Sequence, residues 1–412
     1  MSFHKHVLSN GLTIIGEISP SARSVAVGFF VKTGSRDETS EVSGVSHFLE
    51  HMVFKGTPRR TALEVNFDFD RIGASYNAYT SEENTVFYAA ILPEYLPDAV
   101  DILADILRPS LRGDDFDMEK KVIIEEIGMY DDQPMWCAYD NAKKAFFAEH
   151  PLGNSILGTP ASITALSRDQ MQVYYDRRYV APNITVAVAG NFAWDDAVRL
   201  IEKHCAAWPN GSAPRGDVRP APPRSHRQVI TKDKLKQEQV FILAPGPAAD
   251  SPMRYAADTL AMIIGDDTGS RFYWGLVDPG LAESADMGFH DYEGTGGYFI
   301  SFGCDPERTD DNLALIQEIL REAQREGVSD QELAVAKSKI LSRVVRGSER
   351  PMGRMQALGM GWTYLKTYRS VDEELANFDA VSQSDIRGVL DRFPFDELTV
   401  LALGPLAKLN GV

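Results

Sequence analysis

The sequence predicts an α+β fold made of two similar halves, and three observations carry that prediction. A helix-then-strand order occurs twice. Ser167-Arg168-Asp169-Gln170-Met171 opens a helical pattern that leads into the apolar run Asn183 to Gly190, and Ser382-Gln383-Ser384-Asp385-Ile386 opens another that leads into Leu398 to Gly404. Such a repeat is the mark of internal duplication. Between the two lies Pro209-Asn210-Gly211-Ser212-Ala213-Pro214-Arg215-Gly216, continuing to Pro220, Pro222 and Pro223, which can sustain neither a helix nor a central strand. Finally, helices and strands mix without strict alternation, which favours packed α/β layers over a doubly wound parallel sheet. The expected division is an N-terminal domain over 1–212, a linker over 213–227 and a homologous C-terminal domain over 228–412.

Within the first half, Ser24 to Thr33 and Thr85 to Leu92 are rich in Val, Phe, Tyr and Ile, as strands are. Gly44 to Phe54, Pro93 to Leu107 and Asp114 to Tyr130 carry helical periodicity. In the second half the clearest helices are Asp311 to Arg325 and Ser329 to Arg343. The latter begins with a Ser that has Glu332 three residues on, a capping box.

Composition narrows the function. With 412 residues, 44% of them hydrophobic, the chain can bury a large core. A net charge of -17 argues against nucleic acid as a partner, because such binding calls for clustered Lys and Arg. The start, Met1-Ser2-Phe3-His4-Lys5-His6, lacks the apolar stretch of a secretory signal, and there is no apolar run of membrane-spanning length, so a cytoplasmic location without membrane association is expected. Cys137, Cys205 and Cys304 are odd in number and widely spaced; they suggest buried small hydrophobes rather than disulfides or thiolate zinc ligands.

The chemistry concentrates in His47-Phe48-Leu49-Glu50-His51. Residues four apart on a helix differ by about 40° around the axis, so His47 and His51 project from one face and can grip one ion. Glu50 falls about 60° to the other side of His47, beside the metal, where a general base belongs. Zinc held by two imidazoles and a carboxylate keeps a position for water and acidifies it, and a neighbouring carboxylate can take the proton. H-x-x-E-H is the inverzincin order. Phe48, Leu49 and Met52 make the helix largely apolar, so burial is expected, which disfavours a reading of two solvated histidines. For the third ligand, Glu119-Lys120-Lys121-Val122-Ile123-Ile124-Glu125-Glu126-Ile127 offers three glutamates. Glu119 and Glu126, seven apart, share a face to within about 20°, and Glu125 lies a step away. Spacing does not say how this helix sits against the first, so the choice stays open at this level.

These segments, with the following Met52-Val53-Phe54-Lys55-Gly56-Thr57, resemble the pitrilysin/insulinase-type family of inverzincin metallopeptidases. The similarity is strongest to the group of subunits of this length that includes the mitochondrial processing peptidase. It extends over nearly the whole chain and includes Leu8-Ser9-Asn10-Gly11-Leu12, Gly34-Ser35-Arg36 and Asn77-Ala78-Tyr79-Thr80. The resemblance implies a zinc endopeptidase in which His47, His51 and Glu126 bind Zn2+, Glu50 is the base and Glu119 supports activity. It also implies that Asn77 and Ala78 lie on an edge strand to which an extended peptide substrate adds. Four such halves enclose a chamber in the family, so a homodimer or a heterodimer with a homologous subunit is expected.

One departure stands out. Relatives carry a substrate-holding Arg and, seven residues on, a Tyr in the second half; here the Arg position falls at Leu276 or Val277 and the Tyr position at Glu283, while Arg271 and Tyr273 align elsewhere. A partner-dependent or non-proteolytic, peptide-binding subunit is therefore the alternative reading. A purely structural zinc protein is disfavoured, since such sites are closed by four Cys or His ligands.

Overall fold

The computed structural model describes residues 2–216 and 218–410. The chain forms two compact units. The first comprises Met1–Gly128, Asn154–Gly216 and Val345–Arg369; the second comprises Met129–Gly153, Asp217–Val344 and Ser370–Val412. The expected division into two contiguous halves at 213–227 leaves out this interleaving. Each half gives up one helical segment to the unit built mainly by the other, an exchange that hydrophobic periodicity does not encode, because an apolar helix face does not specify which sheet it will cover.

The first unit is built on a six-stranded sheet of order β1-β2-β6-β3-β5-β4. The strands are β1 (Ser2–Val7), β2 (Thr13–Ile18), β3 (Val25–Val31), β4 (Ser75–Thr80), β5 (Thr85–Ile91) and β6 (Ile184–Gly190). β2 and β6 run parallel and every other pair is antiparallel. All residues of β3 and β6 are buried. They read as continuous apolar runs because helices cover both faces of the sheet. On one face, Phe29, Phe87 and Val188 pack with Phe48, Leu49 and Leu103 of the helices Val45–Val53 and Leu96–Ile106. On the other, Ile15, Phe30 and Ala187 pack with Met355, Leu358 and Trp362 of the exchanged helix Pro351–Leu365. A Cβ on Gly359 would lie 2.1 Å from the Phe30 ring, so this helix approaches the sheet as closely as it does only because position 359 has no side chain. A buried bidentate pair, Arg354 to Glu17 at 2.7 Å through both oxygens, fixes the register of that contact.

The second unit repeats the pattern with a five-stranded sheet, β7-β11-β8-β10-β9. Its strands are β7 (His226–Thr231), β8 (Glu238–Gly246), β9 (Ser284–Tyr292), β10 (Thr295–Cys304) and β11 (Thr399–Gly404). β7 and β11 are parallel and the rest antiparallel. Strand for strand this is the order β2-β6-β3-β5-β4 of the first unit, so the two sheets share one topology and β1 is an addition. The helices Arg254–Gly265, Thr309–Glu326 and Gln383–Arg392 contribute to the core on one face. The exchanged helix Pro134–Phe147 covers the other through Ala138, Ala142 and Phe146. Of the cysteines, Cys205 and Cys304 are buried as expected, whereas Cys137 on that exchanged helix is only half-buried. Among the described residues no helix is long and apolar enough to cross a membrane.

Candidate metal centre

The helix Val45–Val53 starts where the chain must turn sharply. Gly44 has φ +89°, and a Cβ there would meet the Leu157 carbonyl at 2.6 Å, so a side chain is excluded. The first turn has no N-cap side chain at position 44. Glu38 supplies the function from a distance, its carboxylate accepting from Gly44 N at 2.7 Å and Ser46 N at 2.8 Å. His47, Phe48, Leu49 and Met52 are buried, as the apolar character of the segment implies.

What brings the second helix, Gly113–Asp131, alongside is an aromatic contact: the Phe48 and Phe116 rings stack with centroids 4.7 Å apart. Phe116, Glu119, Ile123 and Ile127 form the buried stripe of that helix, and Glu126 flanks it, half-buried. Glu125 is exposed and is not among the converging donors. One ligand atom from each of His47, His51 and Glu126 lies within 4.8 Å of the others. His47 Nε2 is 3.8 Å from Glu126 Oε1, and His51 Nε2 is 3.5 Å from Glu126 Oε2. Such separations suit three donors each about 2 Å from a common ion.

The environment holds His47 in the form that metal binding requires, while His51 and Glu126 are biased toward a shared proton that a bound cation would displace. Burial, and then the proximity of His51, push the His47 imidazole down to about 3, so it stays neutral with a lone pair to offer. His51 Nδ1 lies 2.9 Å from Glu119 Oε1. With the proton on Nδ1 and donated to Glu119, the Nε2 lone pair turns toward Glu126. For His51, burial opposes the charged form, but the Glu119 hydrogen bond and the charges of Glu126 and Glu50 together raise it. Burial raises the Glu126 carboxyl, with His51 opposing. Two imidazoles and a carboxylate whose donor atoms converge are a donor set of zinc type, and the residues present therefore fit the ion that the sequence implies.

Glu50 stands beside this cluster and accepts a hydrogen bond from Thr80 Oγ1 at 2.6 Å through Oε2. Burial raises its carboxyl above the ordinary range, with the Thr80 bond and the charge of His51 opposing. Thr80 ends β4, the edge strand of the first sheet, so the carboxylate is held by the same strand that carries Asn77 and Ala78. Asn77 is exposed, pairs in register with Tyr88, and its side-chain oxygen accepts the Ala78 N–H at 2.9 Å. In the second unit, Leu276 is buried and Glu283 accepts from Gln237 at 2.5 Å, so neither offers a substrate-holding Arg or Tyr; Arg271 is paired with Glu332 at 2.7 Å.

Sequence reasoning missed Thr80, Glu38 and Phe116 as supports of this site. Lys55, whose ammonium lies 2.5 Å from Glu119 Oε2, was within its reach, since it follows His51 by one helical repeat.

The sequence profile of Insulinase (Peptidase family M16) matches residues 13–160, and one described as Peptidase M16 inactive domain matches residues 165–340. The uncharacterized zinc protease YmxG of Bacillus subtilis is 32% identical over 402 residues, spanning 97% of each chain. The chain belongs to peptidase family M16. The uncharacterized zinc protease Rv2782c of Mycobacterium tuberculosis is a further relative, 31% identical over 408 residues, 97% of this chain and 92% of that one. The crystal structure of a protease from Helicobacter pylori shares the fold, with a TM-score of 0.92 at 22% identity over 98% of this chain and 99% of that one. The M16 profile contains the helix of His47 and the helix of Glu126, and the inactive-domain profile takes in the second-half stretch around Leu276 and Glu283.

Proposed function

We propose that this M16 protein is a zinc-dependent endopeptidase acting on extended or unfolded peptides. The observation that carries the reading is the convergence of His47, His51 and Glu126 with Glu50 held beside them by Thr80. Zinc, when bound by these three residues, supplies Lewis acidity toward a peptide carbonyl and a water. Glu50 then receives the water proton at Oε1, while the Thr80 hydroxyl keeps Oε2 in place and burial keeps the carboxyl basic enough for the task. The same carboxyl returns the proton to the departing amine nitrogen. Glu119 holds the His51 imidazole by Nδ1. The peptide adds in extended form along the outer edge of β4, where Asn77 and Ala78 present backbone groups; the Ala78 N–H now taken up by the Asn77 side chain exchanges to the substrate. Two copies of the chain, or this chain and a homologue, bring four halves around a closed chamber.

Leu276, Val277 and Glu283 in place of an Arg and a Tyr favour a second reading, in which this chain supplies the zinc site and a homologous partner holds the substrate. One assay separates the two. The purified chain, alone and with any co-encoded homologue, is incubated with quenched peptides with and without a chelator. Chelator-sensitive cleavage by the chain alone supports the first reading, and cleavage only in the mixture supports the second. Cleavage that is absent or chelator-insensitive in both settings removes the peptidase assignment.

A further inference from the structure

We propose that Lys55 is a positioning residue of the metal centre, holding the Glu119 carboxylate so that Glu119 in turn fixes His51 with Nε2 toward Glu126. The inference rests on the zinc reading above. Lys55 follows His51 by four residues, in the turn just past the end of the helix Val45–Val53, and its side chain reaches the same carboxylate that His51 contacts. Its backbone is locked from both sides. Lys55 N donates to Met52 O at 3.1 Å, and the Lys55 carbonyl accepts from the Arg112 guanidinium. The next residue, Gly56, has φ +108° and would bring a Cβ to 2.6 Å from the Arg60 carbonyl. Gly56 O also accepts from Ser110 N at 3.1 Å.

From that fixed base the ammonium reaches Glu119 Oε2 at 2.5 Å, while Glu119 Oε1 meets His51 Nδ1 at 2.9 Å. Each carboxylate oxygen thus has one partner, and rotation about the terminal torsion, otherwise broad, is stopped from both sides. Arg112 stands immediately before the helix Gly113–Asp131, so its bond to the Lys55 carbonyl joins the end of the histidine helix to the start of the glutamate helix. Two independent contacts at Lys55, one through the side chain and one through the backbone, therefore set where Glu119 and Glu126 stand relative to the histidines. An ordinary surface ion pair would contribute little. This one differs in that the Glu119 side chain is only 4% exposed and its other oxygen is committed to a metal ligand.

The test reads metal affinity directly, without peptide. Zinc binding to the full chain is measured by competition with a chromophoric chelator for the unmodified protein, Lys55→Met, Lys55→Arg, Glu119→Gln and the Lys55→Met/Glu119→Gln double variant. Lys55→Met should weaken binding about tenfold, within the range seen when outer partners of metal ligands are lost. Lys55→Arg should restore most of it. On the Glu119→Gln background, Lys55→Met should cost less than about twofold, because the two residues act in series. Lys55→Met binding zinc as tightly as the unmodified chain, or losing the same factor on both backgrounds, overturns the inference alone. No zinc binding by the unmodified chain overturns the metal centre and this inference with it.

Discussion

Thr80 and Glu50 make the most consequential single contact in the site, because a hydroxyl at the end of a strand decides where a helical carboxylate points. Its 2.6 Å bond consumes one oxygen of Glu50 and orients the other. Thr80→Val keeps the shape and removes the donor. We expect kcat to fall about tenfold, equivalent to about 1.4 kcal/mol, with zinc content unchanged. Steady-state kinetics beside metal analysis checks this, and a loss of zinc would assign Thr80 a different role. The residue scale is also where the sequence was most legible. His47, Glu50 and His51 follow from helical spacing alone, since all three lie on one short helix. By spacing, Glu119 and Glu126 were legible only as a shared face, and it was the family resemblance that gave them roles. Their meeting with the histidines depends on the Phe48–Phe116 stack, a contact between residues 68 positions apart in neither helix's own pattern, and local periodicity carries no such information.

At the scale of elements, the sheet of the first unit is a platform whose edge strand β4 carries Asn77 and Ala78 and holds Glu50 through Thr80, and whose centre is clamped from behind by the helix Pro351–Leu365. That clamp depends on Gly359. Gly359→Ala should force the Phe30 ring or the helix to move and destabilise the first unit by about 1–3 kcal/mol, the usual cost of overpacking. Chemical denaturation measures it; an unchanged midpoint would mean that the helix can retreat without loss. The central strands β3, β6 and β11 were readable as apolar runs because both of their faces are covered. β1 was not identified as a strand because it is a largely exposed, polar edge whose pattern resembles a loop; β2, short and interrupted by Gly16 and Glu17, is buried by its position between β1 and β6 rather than by an apolar run. The exchange of the helices Pro134–Phe147 and Pro351–Leu365 was equally invisible, because each helix carries an apolar face that either sheet could bury.

Over the whole molecule, the strand order is duplicated, and among the described residues the cluster of metal-type donors lies in the first unit. The second unit packs the helix Arg254–Gly265 into its core, and a buried titratable group there bears on stability. Glu238, at the start of β8, shows this: burial pushes its carboxyl up to about 7, with only the Leu406 N–H at 3.2 Å opposing. Unfolded, it ionises near 4.5. The unfolded state therefore holds fewer protons than the folded state between these values, and stability falls as pH rises from about 4.5 through about 7. Glu238→Gln should raise the melting temperature at about pH 8 and leave it unchanged near pH 4. An equal shift at both pH values would contradict the assignment.

The central claim is that His47, His51 and Glu126 hold zinc while Glu50 moves the proton. The measurement that tests it most directly is zinc content beside peptide turnover for the unmodified chain and Glu50→Gln, each with the homologous partner where one is required. The account predicts equal zinc in both proteins and turnover only in the first. Loss of zinc from Glu50→Gln, or turnover that survives the substitution, would contradict it.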